Sequence, residues 1–108
     1  MHVALLLTAL LFATNQTMTV KVSGNCNSCK KKIVRAAESV RGVGDASWDK
    51  NTKLFTATFD NSVADSTAIV NAILAAGYDV ENQKGNDAAY AKLPNCCQYR
   101  DRTHEDGK

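Results

Sequence analysis

From Thr17 to Ser23 the apolar residues Met18, Val20 and Val22 alternate with polar Thr19 and Lys21, the period of a half-buried strand. The period then changes. Ile33, Ala36, Ala37 and Val40 recur at helical spacing, which predicts a helix over about Ser28–Val40 with Ser28 or Asn27 as N-cap and Gly42 as its stop. Val43–Asp49 reads as a second strand with Ala46 and Trp48 on one face. The turn Asp49-Lys50-Asn51-Thr52 leads into a third strand, Leu54–Asp60, where Phe55, Ala57 and Phe59 alternate with threonines. These two strands form an antiparallel hairpin, and Trp48, Phe55 and Phe59 belong to the core. A second helix is expected over Asp65–Ala76, capped by Asp65 or Ser66, with Ile69, Ala72, Ile73 and Ala76 inward and Gly77 ending it. Tyr78–Gln83 would be a short last strand at a sheet edge. The order β-α-β-β-α-β predicts an α+β, ferredoxin-like fold: a four-stranded antiparallel sheet with two helices on one face. That architecture hosts many functions and decides none of them.

The ends of the chain have a different character. Val3–Ala13 is an apolar run, VALLLTALLFA, as long as a signal-peptide core and too short to span a bilayer. It predicts an export signal over residues 1–16 and a periplasmic or secreted mature protein that does not span the membrane. The run has only His2 in place of a charged leader, and no A-x-A site follows it. A packed N-terminal segment in a cytoplasmic protein is therefore the alternative. Residues 17–84 form the expected domain, and 85–108 an extension. In that extension Asn86–Leu93 can make two helical turns ended by Pro94, the single proline, before a charged, disordered end at Asp101–Lys108. A net charge of +2, from 13 basic against 11 acidic residues, is too balanced for a nucleic-acid partner. A single domain of 108 residues, acting as a monomer, is expected.

The chemistry lies in the cysteines. All four fall in close pairs, Cys26/Cys29 and Cys96/Cys97, which suits metal or redox use better than a loop-stapling framework. The first pair sits in Ser23-Gly24-Asn25-Cys26-Asn27-Ser28-Cys29-Lys30, on a loop that opens the first helix. Small Asn27 and Ser28, with Gly24 to turn the backbone, allow both sulfurs to face one point. The helix N-terminus favours a thiolate near Cys29, and Lys30, Lys31 and Lys32 add positive charge. Two thiolates without histidine or carboxylate make a soft, low-coordination site that prefers Cu(I) or Hg(II) to hard cations; structural Zn(II) would want four ligands. The flanking polar residues argue against burial of the thiols. A reversible or structural disulfide remains open. The spacer, however, lacks the Gly-Pro of thioredoxin-like oxidoreductases, and so short a loop adds little stability when closed.

Strand, Gly-x-Cys-x-x-Cys, helix, hairpin, helix and Ala75-Ala76-Gly77-Tyr78-Asp79 together resemble the heavy-metal-associated domain of copper chaperones, copper-ATPase amino-terminal modules and periplasmic mercury-binding proteins. The likeness covers about Thr17–Gln83. It implies a non-enzymatic carrier whose metal ligands are Cys26 and Cys29, with Gly24, Asn25, Ser28, Lys30 and Tyr78 around the ion. It also implies transfer by ligand exchange to a metal-transporting ATPase or another metal-handling protein. Copper as Cu(I) is the first expectation; Hg(II), in a mercury-resistance role, and Zn(II) are the alternatives. Tyr78 matches a family position facing the metal, although an ordinary core-edge aromatic reads the same way. The family commonly has Met two residues before the first cysteine, where this chain has Gly24.

Cys96 and Cys97 are possible additional ligands. Adjacent side chains diverge in extended backbone, so the pair is expected to supply one extra thiolate, a second weak site or a strained disulfide, or to be incidental. The tail Ala89–Arg100 resembles an extension on exported heavy-metal-associated proteins of Bacteroidetes-type bacteria, which implies only that the pair belongs with metal handling. His2 and His104, near the termini, are expected to be bystanders. Lys30–Lys32 offer a docking face for an acidic partner or a plain solvated surface.

Overall fold

A computed structural model of the protein describes residues 15–100. The apolar run Val3–Ala13, His2, His104 and the segment 101–108 lie outside the described residues.

Strand β1 (Asn15–Lys21) begins two residues before the alternation predicts. Helix α1 (Asn27–Glu38), strands β2 (Val43–Trp48) and β3 (Leu54–Asp60), and helix α2 (Ser66–Ala75) follow in the expected order. The extension adds a short helix, α3 (Asp87–Ala91), and a 3-10 turn at Asn95–Cys97. β3 lies between β1 and β2, antiparallel to both, with Met18 opposite Ala57, Val20 opposite Phe55 and Trp48 opposite Phe55. These side chains line one face. Ile33 and Ala37 of α1 and Ile69 and Ile73 of α2 close over it as one core. The opposite face carries threonines, with Thr19 and Thr56 hydroxyls 3.4 Å apart.

Gly42 and Gly77 both have φ of 100°, the left-handed conformation that ends a helix without a Cβ penalty. Asp65 caps α2 by accepting from the Ala68 N–H at 2.8 Å. The cap of α1 differs from expectation: it is Cys26, not Asn27 or Ser28.

The sheet has three strands among the described residues rather than four. The expected strand Tyr78–Gln83 is reduced to isolated bridges, Val80 with Val22 and Val80 with Gln83. Glu81 explains the truncation. Its φ of 50° turns the chain back on itself, so that the Gln83 N–H donates to the Val80 carbonyl at 2.8 Å. Its carboxylate accepts from the Lys21 N–H at 2.7 Å, taking the donor a longer edge strand would need.

Candidate metal centre

The loop between β1 and α1 is shaped by Trp48 from below. The indole Nε1 donates to the Val22 carbonyl at 2.9 Å, and the ring lies directly under Gly24. A Cβ at position 24 would stand 3.0 Å from the Trp48 ring and 3.3 Å from the Cys29 Cβ. Glycine is therefore required here for close approach rather than for the sharp turn the sequence suggested, because its φ is outside the left-handed region. Trp48 fills the space beneath the loop. Lys53 holds the arrangement from outside: its Nζ donates to the Gly24 carbonyl at 2.5 Å and lies 5.6 Å from the indole centroid.

The two loop sulfurs do converge, at 3.6 Å. Cys29 points inward and is fully buried, whereas Cys26 is half-buried. The burial of Cys29 corrects the expectation drawn from its polar neighbours. Those neighbours surround it: the thiol donates to the Asn25 Oδ1 at 3.0 Å, and the Asn25 N–H donates back to the sulfur at 3.5 Å.

The extension supplies the rest of the cover. Tyr99 is its anchor, donating from its hydroxyl to the Gly77 carbonyl at 2.8 Å and accepting from the Asp79 N–H at 2.9 Å. Its ring stacks on Tyr78, centroids 5.6 Å apart, and meets Tyr90 edge-on at 5.2 Å. Arg100 clamps the same point, with its guanidinium 2.7 Å from the Asp79 carboxylate, 3.1 Å from that of Asp87, and over the Tyr90 ring at 4.3 Å. Gln98 donates to the Leu93 carbonyl at 3.1 Å.

With the extension docked, Cys96 and Cys97 come to the loop. The Cys97 sulfur is 3.9 Å from that of Cys26, and the Cys96 carbonyl accepts from the Cys26 thiol at 3.3 Å. The sulfurs of Cys26, Cys96 and Cys97 all lie within 4.8 Å of one another. The expected divergence of neighbouring cysteines does not occur. Their backbone is a 3-10 turn rather than extended, and it brings their sulfurs to 3.9 Å. Cys97 is buried and Cys96 exposed, so the cluster has two inner and two outer sulfurs.

Protonation follows position. Burial works against ionising Cys26, but the N–H and thiol of Cys29, the N–H of Ser28 and the Cys97 thiol outweigh it and lower the group to about 7. The helix N-terminus thus acts on Cys26, because Cys26 is the cap. Cys97 moves the other way, pushed far up by burial and by Cys29. Tyr78 is fully buried, and its hydroxyl lies against Cys29 and Cys97 with no nitrogen or oxygen to bond. Burial first, and then those sulfurs, drive its pKa far above the ordinary phenol value.

Of the residues expected around the site, Cys26, Cys29, Asn25 and Tyr78 meet there with Cys97 and Cys96, and Gly24 lies beneath. Ser28 contributes its backbone while its side chain faces outward. Lys30 is exposed, as are Lys31 and Lys32. Trp48, Lys53, Tyr99 and Arg100 are members of the site that sequence reasoning misses. Their roles are tertiary contacts, and only the aromatic spacing Tyr90/Tyr99 beside the second cysteine pair hints at one.

No protein-family model matches the sequence, and no curated protein matches it. Solved structures do. A CopZ metallochaperone is 26% identical over 60% of this chain and 98% of its own, with a TM-score of 0.58. The oxidized MerP of Ralstonia metallidurans CH34 is 28% identical over 62% of this chain and 94% of its own, with a TM-score of 0.59. The chain belongs to the heavy-metal-associated domain family. A copper binding domain from HMA7, a P-type ATPase, is also similar, at 27% identity over 60% of this chain and 89% of its own, with a TM-score of 0.58. Each likeness covers about three fifths of the chain, so this heavy-metal-associated domain carries additional length.

Proposed function

We propose that this protein binds a soft heavy-metal ion, Cu(I) first among them, at Cys26 and Cys29 and passes it on by ligand exchange, without catalysing a reaction. The 3.6 Å convergence of these two sulfurs at the start of α1 carries the reading. The donor set fits the cargo, since the cysteine cluster offers sulfur, which selects soft ions over Mg, Ca or Mn. Cys26, half-buried and with a pKa of about 7, is near half-ionised at neutral pH and makes the first bond. Cys29 closes behind it. Each thiol releases its proton to solvent as it ligates, so binding weakens as pH falls.

Among the similar structures, one is described as a metallochaperone, one as MerP and one as a copper binding domain of a P-type ATPase. These support a metal carrier that delivers to a transporting ATPase or another metal-handling protein. Lys30–Lys32, exposed on α1 just past the site, suit docking to an acidic partner surface. The apolar run Val3–Ala13 supports a periplasmic or secreted location. No described helix is long and apolar enough to cross a membrane.

Titrating reduced protein with Cu(I) against a competing chelator tests the proposal. Tight one-to-one binding that Cys26→Ser weakens severely is expected; unchanged affinity in that variant defeats it. Parallel titration with Hg(II) ranks the two cargoes.

A further inference from the structure

The extension does more than cover the loop. A metal–sulfur bond of about 2.3 Å sets the sulfur spacing for each coordination number: about 4.6 Å for two ligands in line and about 4.0 Å for three in a plane. The Cys26–Cys29 spacing is 3.6 Å, short of the linear value by about 1 Å and equivalent to an angle at the ion of about 100°. A pair held this close leaves room on the ion for another donor. The Cys26–Cys97 and Cys96–Cys97 spacings are both 3.9 Å, an angle of about 115°, near the trigonal value. The third edge, Cys26–Cys96, falls within 4.8 Å.

We propose that Cys26, Cys96 and Cys97 form an outer three-thiolate site for a soft d10 ion, sharing Cys26 with the inner Cys26/Cys29 pair. The chain holds one ion at a time, in either position. It moves between them by breaking the bond to Cys29 and forming bonds to Cys96 and Cys97, with Cys26 bonded throughout; of the two protons these thiols release, one returns to Cys29 and one leaves to solvent. The extension thereby provides within the chain the third sulfur that a partner would otherwise bring. Exposed Cys96 and half-buried Cys26 put two sulfurs of the outer position at the rim, above buried Cys97, where a receiving thiolate can reach the ion; the inner position shares Cys26 but ends on buried Cys29. The docking contacts of Tyr99 and Arg100 fix this geometry without touching the ion.

This inference rests on the function proposed above, and one set of measurements separates the two. The reduced full chain and its variants are titrated with Cu(I) against a chelator, and the number of sulfur neighbours is read by X-ray absorption. Cys29→Ser should still bind one Cu(I) tightly, with three sulfur neighbours. Cys96→Ser, at an exposed position, should weaken binding by roughly 10- to 100-fold and lose one neighbour. Cys29→Ala, checked by circular dichroism, repeats the first measurement should serine disturb the core. Tight wild-type binding with Cys96→Ser unchanged in affinity and neighbour count overturns the outer site and leaves the function standing. The outer site is likewise overturned if Cys29→Ser and Cys29→Ala fold but lose binding as fully as Cys26→Ser. Failure of the wild type to retain Cu(I) overturns both.

Discussion

The two cysteine pairs reach the same place by opposite routes. Cys26 and Cys29 are brought together locally, by a loop entering a helix. The packing of Trp48 against Gly24 shapes that loop, and the extension adds contacts to Cys26. Cys96 and Cys97 are brought there from 70 residues away, and only because Tyr99 and Arg100 bind the chain segment around Gly77 and Asp79. One sulfur of each pair, Cys29 and Cys97, is buried in the core, but the second pair reaches it on a segment anchored by Arg100 and by Tyr99, itself buried. One pair is placed by residues adjacent in the chain and the other only when the extension is anchored, so loss of the anchor should act on the two unequally.

The contrast is broken most severely at Cys26, the one sulfur common to both groups. Cys26→Ser should lower Cu(I) affinity by on the order of 10²–10³-fold, the share of one thiolate in a structural metal site, as read by chelator competition. Next comes the anchor of the extension. Tyr99→Ala removes a buried ring and its two hydrogen bonds, a loss of about 3–5 kcal/mol. It should free the extension while the three-stranded core stays folded. Alkylation mapped by mass spectrometry would then find Cys29 and Cys97 reactive; continued protection of both would mean the two regions fold as one.

A smaller effect is expected from Gly24→Met, which restores the residue the family commonly carries. With Trp48 already in that space, the added side chain should destabilise the domain by about 1–3 kcal/mol, measured as a lower urea midpoint. An unchanged midpoint would show that Trp48 can swing aside.

The gentlest probe is pH. The Cys26 pKa is lowered from 9.0 to about 7, so its thiolate favours the folded state above 9. That contribution is lost as pH falls through 7. Its alkylation rate should accordingly be half-maximal near pH 7, below an ordinary thiol, whereas buried Cys97 should not react in that range. A Cys26 midpoint near about 8.5 would show that the α1 N-terminus does nothing for it.

Much of this is written in local pattern. The alternation in Leu54–Asp60, the helical spacing of Ile69 and Ile73, and the stops at Gly42 and Gly77 each follow from one stretch of chain, and all are found where the pattern puts them. The spacing of Cys26 and Cys29 on a helix-opening loop likewise implies that their sulfurs converge, and they lie 3.6 Å apart. The fourth strand is overestimated because its length depends on Glu81, whose carboxylate meets a β1 backbone donor 60 positions away. Gly24 reads locally as a turn residue when its reason is an indole from another strand.

The amino-acid sequence by itself determined the order of elements, the core faces and the nature of the donor atoms, because periodicity and thiol chemistry are properties of neighbours along the chain. Tertiary structure alone decided that Cys29 is buried and that Cys96 and Cys97 join the loop sulfurs. Burial, and contact between sulfurs 71 positions apart, arise only when distant segments are packed against each other.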